Sequence, residues 1–143
     1  MTAPASAQSP AQAARLIHAS LCLGVILFAG VTLFVARPSM AGQDALSPNA
    51  TRALLAAALA ACVVALLLRR RVPSRPRDVS ADLYWTTAAS PALIAWAPLE
   101  AASIGAVYVY GHTGSVPALV VASVAWLLLV ALNPWSLDRR ASP

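Results

Sequence analysis

The sequence predicts an all-α fold, an integral membrane bundle of four antiparallel transmembrane helices, and three observations carry that prediction. First, 59% of the 143 residues are hydrophobic and only 10% are charged, with a mean hydropathy of +0.71. A soluble domain carries about 25% charged residues. Second, the apolar residues fall into four runs separated by prolines, arginines and one polar loop. Third, the arginines flank those runs instead of forming a stripe interleaved with aromatics. The basic pI near 10.3 is therefore a topology signal and not a nucleic-acid footprint.

The elements follow in order. Residues 1–14, rich in Ala, Ser, Pro and Gln and free of charge, read as a flexible tail. Residues 15–135 make the transmembrane domain, with spans at about 16–36, 50–69, 84–110 and 116–132, and residues 136–143 form a short C-terminal tail. Leu16 to Ala36 gives 21 residues without a formal charge. At 1.5 Å per residue they cover about 31 Å, the thickness of a hydrocarbon core. A cleaved signal sequence ending near Ser39-Met40-Ala41 is the alternative for this run, which is longer than the usual signal core of about 7 to 15 residues.

The second helix has Ser47 as N-cap and Pro48 at its first position, followed by the charge-free run Ala53 to Leu68 between Arg52 and Arg69. Val72 to Asp82 is the one substantial polar loop. The third span holds Pro91 and Pro98. Pro98 lacks an N–H for the Ile94 carbonyl and is expected to kink the helix two residues before Glu100. Gly111 to Ser115 reads as a tight connection, and the fourth span ends at Asn133-Pro134. With four spans, Arg15, Arg69, Arg70, Arg71, Arg75, Arg77, Arg139 and Arg140 share one side, and only Arg37 and Arg52 lie on the other. This bias predicts a bacterial inner (plasma) membrane protein with both termini cytoplasmic. Tyr84, Trp85 and Trp135 would mark the inner interface, with Tyr108 and Tyr110 at the outer one.

Glu100 is the only glutamate and lies in the apolar stretch Leu93 to Tyr110. A carboxylate at the bilayer centre costs roughly 2.5 to 3.5 kcal/mol, so a membrane-embedded acid calls for a partner or a role. Trp96, Ser103, Ile104 and Val107 share its helical face, and Ala97, Ala101 and Gly105 form a small-residue ridge beside it. Depth counting on antiparallel helices places Ser123 in the same layer, as the expected hydrogen-bond partner, with the Ile94 carbonyl as a second. Glu100 is expected to face protein and to stay neutral, because no basic group shares its layer. The expected contact residues are thus Glu100, Ser123, Trp96 and Ser103.

Cys22 and Cys62, without a CxxC or a Cys/His spacing, read as small apolar residues, and His18 and His112 as interfacial polar groups. No GxSxG, HExxH or phosphate-cradling loop is present, so the sequence points away from an enzyme and implies no cofactor or metal.

The segment Pro98-Leu99-Glu100-Ala101-Ala102-Ser103-Ile104-Gly105 resembles the ion-binding helix of rotary-ATPase proteolipids, in which a membrane acid precedes small residues. Four short spans with one membrane acid look like small multidrug-resistance exporters. The layout as a whole, with a WxxxE motif from Trp96 to Glu100 in the third helix, resembles small uncharacterised four-helix bacterial inner-membrane proteins. These likenesses imply either a non-catalytic accessory or assembly subunit or a proton-coupled transporter using Glu100. The expected partners are the lipid bilayer and a second membrane chain or copy, not nucleic acid.

Overall fold

The computed structural model describes residues 8–36 and 46–138. The tail residues 1–7, the stretch 37–45 that contains the candidate cleavage site, and residues 139–143 lie outside the described residues. The described chain is helical, with no strand among its elements. Helix α1 (Pro10–Val31) runs into a π-helical segment (Thr32–Ala36), and is followed by α2 (Pro48–Arg69), α3 (Ala81–Thr113), α4 (Val116–Ala131) and the short α5 (Pro134–Asp138).

The helix starts share one chemistry. Ser9, Ser47 and Ser80 each accept a hydrogen bond from the backbone N–H three residues on, at 3.2 to 3.3 Å, satisfying a donor that the first turn leaves unpaired. In α1 and α2 a proline follows at once, where its missing N–H costs nothing. Helix α1 therefore begins at Pro10, within the stretch read from sequence as tail. Gly114, with φ of 65°, closes α3 in the left-handed conformation that glycine adopts without a Cβ clash.

Helix α3 is the centre of the fold. Its 33 residues correspond to about 50 Å, well beyond a hydrocarbon thickness, and it runs without interruption through Pro91 and Pro98. Each proline removes one backbone bond, while packing against α1, α2 and α4 holds the helix on either side. Helices α1 and α2 pack on α3 far more than on each other. The register is set by particular contacts. Ala11 N–H lies 3.4 Å from the Asp82 carboxylate, the His18 ring meets Trp96 with centroids 4.8 Å apart, and Gly24 faces Glu100, so α1 and α3 ascend together. Helix α4 descends beside them, with Ser103 against Ala122 and Trp96 against Leu132.

Alanines line these seams. Ala65, Ala88, Ala92, Ala106, Ala118 and Ala125 are fully buried, which lets the helix backbones approach closely. The largest fully buried side chains are Trp85, Trp96, Leu99 and Leu129, so the densest packing lies at the end where α1 and α3 begin. The lipid-like exterior is equally plain, since Leu27, Phe34, Val63 and Leu127 are all more than half exposed. Among the described residues three helices are long and apolar enough to cross a membrane; α4 is apolar but has only 16 residues.

Candidate functional site

The end of α4 shows how the polar side chains are used. Residues Leu129 to Leu132 carry the last four carbonyls of this helix, for which the helix itself supplies no donor, and Pro134 removes the N–H that would have served Val130. Every one is capped by a side chain. His18 lies with Nε2 2.9 Å from the Leu129 oxygen, and Asn133 Nδ2 donates to Val130 at 3.2 Å. Ser136 Oγ shares its one proton between the Asn133 oxygen at 2.8 Å and the Ala131 oxygen at 3.2 Å, and Trp96 Nε1 donates to Leu132 at 2.9 Å. Because a carbonyl only accepts, the His18 proton sits on Nε2. In an apolar medium an unsatisfied backbone group costs several kcal/mol, so the buried His18 and Trp96 caps serve the two carbonyls of this end, Leu129 and Leu132, that face the bundle.

His18 is thus buried between helices, a packing that the reading as an interfacial polar group does not include. It lies two residues past Leu16, where the apolar run begins, and eight residues past Pro10, where α1 begins. Tyr84 and Trp85 are likewise buried and not belt residues, whereas Trp135 is half exposed.

Below this layer, Asp138 ties three elements together. Trp85 Nε1 donates to its carboxylate at 3.0 Å, Arg15 lies 3.5 Å away and Arg75 4.0 Å away. The Arg15 guanidinium also lies 5.5 Å from the centre of the Trp135 ring. The part of the chain read as the start of a C-terminal tail is therefore the last turn of α5, folded against the bundle. Nothing in the local sequence marks Asp138, because its partners come from α1, from the loop before α3 and from α3 itself.

The four expected contact residues part company. Trp96 and Ser103 are fully buried on the α3–α4 seam, and Ser103 Oγ donates to the Ala122 carbonyl at 3.3 Å. Ser123 is exposed, and its hydroxyl donates to Leu119 of its own helix at 2.9 Å. It lines a groove of about 390 Å³ between α1 and α4, together with Val25, Ala29, Leu119 and Trp126. It is not the partner of Glu100. One residue of rotation on α4, about 100°, separates Ser123 from Ala122, whose carbonyl does face α3.

Glu100 is half-buried and points toward α1, where its Oε1 would lie 3.5 Å from a Cβ placed on Gly24. That is an ordinary contact distance, and Cys22 is within the electrostatic reach of the carboxyl. No hydrogen bond or ion pair among the described residues ends on Glu100, including from the Ile94 side. On the neighbouring stripe of α3, Ile94, Ala97, Ala101 and Tyr108 are exposed, and a Cβ added to Gly105 would meet nothing within 4 Å. This stripe lies between α1 and α2, which leave it uncovered. Among the described residues no group of three His, Cys, Asp or Glu side chains could hold a metal.

No family profile, no curated protein and no solved structure matches the chain.

Proposed function

We propose that the protein is a non-catalytic accessory or assembly subunit of a membrane complex, inserted in the bacterial inner membrane as four antiparallel spans with both termini in the cytoplasm. One observation carries the functional part. His18, Trp96 and Ser103 each hydrogen-bond a backbone carbonyl of α4 or of its C-cap Leu132, while Glu100, the one acid of that layer, has no partner among the described residues and stands at the edge of an uncovered helix face. A group of this kind is supplied from outside the chain.

The topology draws support from Asp138. Its contacts with Arg15 and Arg75 gather the start of α1, the α2–α3 loop and α5 at one end, which is the arginine-rich end. Reporter fusions at the C-terminus and at Gln43 test it. The C-terminal fusion is expected to be active in the cytoplasm and the Gln43 fusion in the periplasm.

A second reading, a proton-coupled transporter, rests on His18 and Cys22. They lie one turn apart on α1, with Cys22 Sγ 3.9 Å from the imidazole nitrogens and next to the Glu100 layer. Vesicles loaded with a pH-sensitive dye separate the two. For a subunit, wild type and Glu100→Gln dissipate an imposed pH gradient no faster than empty vesicles. A Glu100-dependent proton flux would establish the transporter instead.

A further inference from the structure

We infer that the open face of α3 between α1 and α2 docks a transmembrane helix of a different chain, one carrying a lysine or arginine at the depth of Glu100. The inference rests on the assembly reading above and adds the chemistry of the partner.

The shape of the face comes first. Ile94 is 54% exposed and Tyr108 42% exposed, and between them Ala97, Ala101 and Gly105 present little side chain. Small residues let a helix backbone approach closely, so a visiting helix would pack at short range along this stripe. Helices α1 and α2 pack on the flanks of α3 and leave the stripe between them free.

Charge then identifies the visitor. At the α1 edge of the face stands Glu100, opposite Gly24, with no cation or donor among the described residues. The arginines that reach a carboxylate, Arg15 and Arg75, do so at Asp138, at the far end of the bundle. Lipid tails offer no donor, and membrane acids are characteristically paired with basic groups on neighbouring helices. A second copy of this chain would offer a carboxyl and no base. Its matching face would bring Ile94, Ala97, Ala101, Tyr108 and another Glu100, and the sequence contains no lysine, with its arginines outside the apolar run Leu93 to Tyr110. A basic complement to Glu100 must therefore come from another protein.

The test uses the full chain in phosphatidylcholine vesicles with two synthetic probe helices of about 22 Leu and Ala residues, one with a central lysine and one with leucine in its place. Association is read by energy transfer between labelled chain and labelled probe. The lysine probe is expected to bind about tenfold more tightly than the leucine probe. Glu100→Gln should erase that preference while leaving the helical circular dichroism and thermal unfolding unchanged. Ala101→Ile, which fills the face without touching the charge, should weaken binding of the lysine probe. Equal binding of the two probes, or a lysine preference that survives Glu100→Gln or Ala101→Ile, overturns the inference. So does energy transfer between two copies of the chain that Ala101→Ile abolishes, because the face would then be a homodimer surface. Loss of the probe preference with no proton flux leaves the assembly reading standing without a basic partner, whereas Glu100-dependent flux removes that reading itself.

Discussion

The two ends of α3 solve opposite problems. At its N-terminal half, Trp85 and Trp96 are sealed against α1, α4 and α5, and their indole N–H groups are satisfied by Asp138 and by the Leu132 carbonyl. One helical turn past Trp96 the arrangement changes. Glu100 has no such partner, and the adjacent stripe from Ile94 to Tyr108 is bare. The difference teaches that a side chain's polarity does not say what it is for. Trp96 and His18 are polar groups that complete the fold, whereas Glu100 is left over once the fold is complete.

Substitutions can break or sharpen this contrast. The largest effect is expected at Trp96→Ala, which opens a cavity and strips the Leu132 carbonyl of its donor. The loss should be about 3 to 5 kcal/mol, read by unfolding in detergent. Next comes a pair of neighbours on α3. Ala102→Leu, in the buried seam, should cost about 1 to 3 kcal/mol through overpacking. Ala101→Leu, on the open stripe, should change stability by no more than about 0.5 kcal/mol. If both cost the same, the stripe is not open and the contrast fails. Asp138→Asn keeps an acceptor for Trp85 but loses the charge facing two arginines. Its cost should be about 0.2 to 1 kcal/mol and should shrink in high salt. Gly24→Ala should be nearly silent, because the added methyl meets Glu100 Oε1 at 3.5 Å, an ordinary contact.

Much of this organisation is written in the sequence, but unevenly. The N-cap Ser47 and its Pro48 are readable from two letters, and the same pair, Ser9-Pro10, announces α1, although the polar composition around it suggests a tail. Depth along a helix can be counted only to within a turn: on α4 it is Ser103, not Glu100, that meets Ala122, so the residues level with Glu100 lie beyond Ser123. Rotation about the helix axis cannot be counted in the same way, so Ser123 was chosen where the adjacent Ala122 carbonyl is the group facing α3. The caps of α4 were hidden for another reason. His18 and Trp96 reach Leu129 and Leu132 across 111 and 36 residues of sequence, and no local pattern signals such a pairing.

The account turns on whether the face beside Glu100 is open to the hydrocarbon, and a fluorophore on Ala101→Cys, with Cys22 and Cys62 replaced by alanine, tests this most directly. In vesicles containing phospholipids brominated at mid-chain, the label should be strongly quenched, and aqueous iodide should leave it unaffected. Quenching by iodide would mean that water reaches the face, as the transporter reading requires. Protection from both quenchers would mean that the chain already covers this face by itself or with a second copy, and the open docking surface would be contradicted.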